Sequence, residues 1–184
     1  MGTTLKDKDR ITLEILDTVL SGQSGRLFTE LRDKQSLAYS LSSFSFFGLD
    51  TGAFGIYIGT SPEKKEQAIK GVWHELETIR EERVSEEELS RAKNILISQY
   101  VMALQTHRAQ ALELGLNETY DLGQDFGNKY IQAIKEVDAA MLLQAARKYI
   151  LPEAYVMVAV GAGLADKAEE PGENTTETPV EVEK

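Results

Sequence analysis

Two histidines, His74 and His107, and no cysteine stand among the 184 residues. A catalytic zinc ion normally takes three protein ligands. His74-Glu75 opens the pattern H-E-x-x-H, but Thr78 occupies the place of the second histidine. The inverted H-x-x-E-H does not occur. The chain is therefore expected to hold no metal or other cofactor of its own. Covalent catalysis lacks its usual parts too, with no cysteine and no G-x-S-x-G elbow. Glu86, Glu87 and Glu88 open a helix, where carboxylates complement the dipole. Val160-Gly161-Ala162-Gly163 follows a strand pattern, yet a disordered tail is expected after it in place of the helix that would hold a pyrophosphate. Gly22-Gln23-Ser24-Gly25 has the spacing of a nucleic-acid-gripping loop, but a helix stop and restart accounts for it.

One constellation is left. Arg32 falls at the end of a helical turn and Tyr39 within the strand expected next. A guanidinium presents a rigid fork of donors and a phenol adds one more. Converging, they could hold peptide carbonyl oxygens or a developing oxyanion. Taken alone, an arginine and a tyrosine beside a turn more often satisfy local groups.

The elements that must position this pair follow from hydrophobic spacing. Ile11, Ile15, Leu16, Val19 and Leu20 share a helical face that ends at Ser21-Gly22. A short helical turn over residues 25–34 turns Leu27, Phe28 and Leu31 inward. The period then becomes two: Leu37, Tyr39 and Leu41 alternate, and after Ser42-Ser43 the parity moves to Phe44 and Phe46, as a bulge would require. With the answering Phe54, Ile56 and Ile58, residues 37–60 read as an antiparallel hairpin turning at residues 48–52. Ser61-Pro62 starts a helix buried through Ile69, Val72, Trp73, Leu76 and Ile79. Ser85 and Glu88 form a capping box for another, expected to run toward Leu114 before Gly115. Helices around residues 126–134 and 139–149 follow, the second capped by Asp138 and stopped by Pro152. Val156, Val158 and Val160 mark a third strand. That order predicts an α+β fold, an antiparallel sheet with helices packed on one face.

Twenty basic against thirty acidic residues leave a net charge of −10. No basic stripe exists to neutralise phosphates, so nucleic acid is not an expected partner. No apolar run reaches the ~18 residues of a membrane span. Residues 165–184 carry seven acids against two bases and almost no bulky apolar side chain, so they read as a disordered acidic tail. The folded domain is expected over residues 9–164.

Residues 24–40, S-G-R-L-F-T-E-L-R-D-K-Q-S-L-A-Y-S, resemble the signature of one family. It is the second, metal-free, C-terminal half-domain of the pitrilysin, insulinase and mitochondrial processing peptidase family of zinc metallopeptidases. G-A-F-G-I-Y-I at 52–58, the helix after Pro62, V-S-E-E-E-L-S-R-A-K at 84–93 and residues 156–161 follow in the family's order, so the resemblance covers residues 9–161. It implies a half-clamshell whose Arg32 and Tyr39 contact substrate backbone near the scissile bond. The chain would then be the substrate-binding, zinc-free half of a zinc metalloendopeptidase, inactive alone. It would complete the active site of a separate, homologous zinc-bearing half that acts on a peptide substrate. A non-catalytic scaffold or interaction subunit related to the processing peptidases is the alternative.

Two departures from the family pattern bear on the fold. Ser36 stands where glycine is frequent. Residues 1–8 show no strand alternation where the family opens with strands, so the sheet is expected to lack its opening strands. Its unpaired edge would then invite a homodimer.

Overall fold

The computed structural model describes residues 2–161. Helix α1, Arg10–Leu20, carries the apolar face read from its spacing and lies at the centre, with Leu13, Ile15, Leu16 and Leu20 wholly buried. After it, residues Phe28–Lys34 wind as a π-helix, wider than an ordinary helical turn. Strands β1, Ser40–Phe47, and β2, Gly52–Gly59, form an antiparallel hairpin, the one sheet among the described residues. A 3₁₀ turn at Pro62–Lys64 leads into α2, Lys65–Glu81. Four more helices follow: α3 Glu86–Ala103, α4 His107–Thr119, α5 Phe126–Glu136 and α6 Ala139–Tyr149. Leu76 and Ile79 of α2, Ile134 of α5 and Leu142 and Ala146 of α6 join α1 in one core. The helices cover one face of the hairpin, as the α+β order predicts.

The hairpin differs from its expectation in parity. The register runs without interruption from Ser40↔Gly59 to Phe47↔Gly52, so no bulge follows Ser42-Ser43. Leu41, Ser43, Ser45 and Phe47 therefore share the inner face, and Phe44 and Phe46 point to solvent. The small serines let α1 approach. Ser43 Oγ bonds the Asp17 carboxylate and its backbone oxygen, and Ser21 Oγ accepts from the Ser43 N–H at 2.6 Å. Burial against this face pushes the Asp17 carboxyl above its usual value, partly offset by the serine hydrogen bonds.

Leu37 and Tyr39 precede β1, with Leu37 buried and Tyr39 exposed, so the alternation expected across them does not hold. The helix expected to reach Leu114 breaks after Ala103. Thr106 caps a new one by accepting from the Ala109 N–H at 3.1 Å, and Gly115 lies inside it. The third strand expected at 156–160 is not formed: these residues join no ladder and are exposed. Valine alternation suits a pleated surface, but a strand exists only where a neighbour supplies hydrogen bonds. The capping box is present as read, with the Ser85 hydroxyl accepting from the Glu88 N–H and the Glu88 carboxylate from the Ser85 N–H. The acidic tail expected at 165–184 lies outside the described residues.

Candidate functional site

Residues 25–39 form a bracket between α1 and the hairpin. At its entry Arg26 donates from Nε and Nη2 to the two carboxylate oxygens of Glu88, at 2.8 and 3.0 Å. Glu88 thus caps α3 and anchors the bracket at once. The guanidinium holds the Glu88 carboxyl down at about 2, against an ordinary 4.5. This link was not read from the sequence, where Glu88 served the cap alone. Arg26 belongs to the quoted signature, but sixty-two residues of separation carry no pairing signal.

The middle of the bracket is set by close packing. Leu31 is fully buried and lies against Gly71 of α2, so near that a Cβ on Gly71 would overlap its Cδ2. Leu37 packs at the same glycine. A glycine inside a helix pattern is the one sequence signal of such an approach. Glu75, one turn further along α2, is also buried, and desolvation with the nearby Glu30 charge pushes its carboxyl up.

The exit is a left-handed turn. Ser36 has φ +52°, the region in which glycine is most at ease. This backbone demand is the physical reason for glycine to be common at that place. The N–H groups of Ser36 and Leu37 return to the carbonyls of Arg32 and Leu31 at 3.1 and 2.7 Å. Lys64 Nζ donates to the Ser36 carbonyl at 2.8 Å, Thr60 Oγ1 to that of Leu37 at 2.6 Å, and the Tyr39 N–H to Gly59 at 3.0 Å. The backbone between Arg32 and Tyr39 is thereby tied to the π-helix, to the start of α2 and to β2.

Against that fixed backbone both side chains project outward. Arg32 lies 4.6 Å from the Phe28 ring centroid and is exposed. Tyr39 is 70% exposed, its ring over the bare backbone of Gly59. Among the described residues neither side chain has a hydrogen-bond partner, and no bond joins one to the other. Tyr39 stands at the mouth of β1 and not within it. Five guanidinium N–H groups and one phenol are left to donate to a ligand.

Among the described residues no three histidine, aspartate, glutamate or cysteine side chains gather to hold a metal ion. His74 is exposed on α2 and His107 is the first residue of α4. The residues present do not fit a zinc ion.

Residues 2–96 match the family model described as the peptidase M16 inactive domain. The chain is 33% identical over 118 residues to an uncharacterized zinc protease of Streptomyces coelicolor, covering 64% of this chain and 26% of that protein. To an uncharacterized zinc protease of Rickettsia felis it is 38% identical over 96 residues, covering 52% and 23%. The chain thus spans about a quarter of the length of these relatives. The fold is that of a peptidase M16 inactive domain from Pseudomonas fluorescens, with a TM-score of 0.72, 22% identity, and 81% of this chain and 36% of that one covered.

Proposed function

Because the chain belongs to the peptidase M16 inactive-domain family, whose part is non-catalytic and zinc-free, we propose that it completes the active site of a homologous zinc-bearing half by holding the peptide substrate through Arg32 and Tyr39. The observation that supports this reading is the bracket itself. Its backbone is bonded at Leu31, Arg32, Ser36, Leu37 and Tyr39, while the Arg32 guanidinium and the Tyr39 hydroxyl are left without hydrogen-bond partners among the described residues. Ordering two polar side chains beforehand lowers the entropy lost on binding, and a pinned backbone does this for their Cα positions.

In this reading the Arg32 guanidinium donates to a substrate carbonyl, where its planar fork can take two oxygens side by side. The Tyr39 hydroxyl donates to an oxygen on which charge grows as the tetrahedral intermediate forms. Both act on the substrate backbone, so they select for an extended peptide and not for a particular side chain. Bond cleavage is left to the partner half.

The test is reconstitution. The full chain is mixed with the zinc-bearing half-domain of a relative, and hydrolysis of a panel of fluorogenic peptides is followed. Chelator-sensitive cleavage well above that of the zinc-bearing half alone is expected, with none from this chain alone. Firm association of the two halves without any gain in cleavage would overturn the reading in favour of a scaffold.

A further inference from the structure

We propose that Phe28 and Gly59 are positioning residues, each giving an apolar seat to one donor of the bracket, Phe28 to Arg32 and Gly59 to Tyr39, without occupying its hydrogen bonds. This inference rests on the reading of Arg32 and Tyr39 as donors to a peptide substrate.

An exposed side chain that must bind a ligand meets a conflict. Left loose, it loses rotamer freedom on binding and affinity falls. A hydrogen bond inside the protein would order it beforehand, but would use the donor that the ligand needs. Arg26 and Arg32 of the bracket show the two cases. Arg26 spends Nε and Nη2 on the Glu88 carboxylate. Arg32 gives no side-chain N–H to any described residue, and its Cζ stands over the Phe28 ring, 4.6 Å from the centroid. Phe28 is the first residue of the π-helix and half-buried, so the ring is itself held. The face of an aromatic ring attracts a guanidinium through its quadrupole. No acceptor oxygen is involved, and the planar fork keeps its five N–H groups for a ligand.

Tyr39 is seated by a missing side chain. Gly59 is the last residue of β2, pairs with Ser40 and is buried. A Cβ on it would come to 2.7 Å from Tyr39 Cε2 and 2.9 Å from Cζ, and nearer still to Ser40 Oγ, closer than Cβ contacts allow. Its φ is not left-handed, unlike those of Gly22 and Gly123, so the backbone does not demand glycine there. What the bare Cα supplies is room for the ring to lie down. The Tyr39 N–H donates to the Gly59 carbonyl at 3.0 Å, which ties the backbone of Tyr39 to its seat. The Tyr39 hydroxyl is left without a partner among the described residues.

Nuclear magnetic resonance of the full chain by itself tests the seats. Protons above an aromatic face move upfield. The Arg32 δ protons and the Gly59 α proton that faces Tyr39 should both be displaced in this direction. They should return to ordinary positions in Phe28→Leu and Tyr39→Ala respectively. Ordinary positions in the unsubstituted chain overturn the proposal.

Kinetics with the zinc-bearing half test what the seats do. Phe28→Leu should lower kcat/KM about two- to fivefold, the worth of an exposed cation–π contact, and Phe28→Tyr should restore it. In Gly59→Ala the Tyr39 ring can swing outward and spare the sheet, so kcat should fall by at least about tenfold, as it does when a group is misplaced. Neither change should cost anything further when added to Arg32→Ala or Tyr39→Phe respectively, because each acts through that side chain. Losses that persist in those backgrounds overturn the proposal. Impaired Arg32→Ala and Tyr39→Phe beside unimpaired Phe28→Leu and Gly59→Ala overturn the positioning role alone. Unimpaired Arg32→Ala and Tyr39→Phe overturn the substrate-holding reading and the role together.

Discussion

Leu31 of the π-helix rests on the bare backbone of Gly71 in α2, in the space that a methyl group on that glycine would fill. Through this contact α2 packs against the bracket that carries Arg32 and Tyr39. Gly71→Ala should therefore destabilise the chain, although alanine is the better helix former. Overpacking a fully buried site costs about 1–3 kcal/mol and helix propensity returns about 1 kcal/mol. A net loss of up to about 2 kcal/mol in urea unfolding is expected. A gain would show that Leu31 can yield.

Ser36 carries the opposite strain. Its φ of +52° costs a residue with a Cβ about 1 kcal/mol, and glycine pays part of that back as chain entropy in the unfolded state. Ser36→Gly should stabilise by about 0.5 kcal/mol and Ser36→Val destabilise by about 1 kcal/mol, since branching at Cβ makes a positive φ harder still. Urea midpoints of the three proteins in one buffer decide it.

The Arg26–Glu88 pair makes stability depend on acid. The unfolded carboxyl titrates near its ordinary 4.5 and the folded one at about 2, so the folded state binds fewer protons between those values. The pair's contribution is complete above about pH 4.5 and drains away as the pH falls toward 2. Glu88→Gln keeps a side chain able to close the capping box but removes the ion pair. It should cost about 1–2 kcal/mol at pH 7, most of its effect vanishing near pH 3, as followed by urea unfolding at both values.

In the reconstituted enzyme, Tyr39→Phe should lower kcat by about 10²–10³, the usual cost of one lost oxyanion donor. Arg32→Ala should lower kcat/KM further, because ground-state positioning goes with it. Both variants should melt close to the wild type, their side chains being exposed and without hydrogen bonds among the described residues. Unchanged kinetics would remove the pair from the reaction.

Most helices were legible in the sequence because they announce themselves locally, although the break between α3 and α4 was not read. The apolar stripe of α1, the Ser85–Glu88 box and the Asp138 cap depend on residues within one or two turns, and all three stand in the structure. The family was legible in residues 24–40 for a related reason: that bracket is one continuous stretch of chain. The hairpin was legible too, but its inward face and the third strand were not, because those are settled between segments far apart. Serines 43 and 45 face inward, against hydrophobic expectation, because Asp17 and Ser21 arrive from α1 to bond Ser43. Tyr39 ends outside β1 because Leu37, buried against Gly71, takes the chain through a left-handed turn first. Residues 156–160 have the alternation of a strand but join no ladder, since side-chain pattern can prepare a backbone for pairing and only a neighbouring strand can pair it.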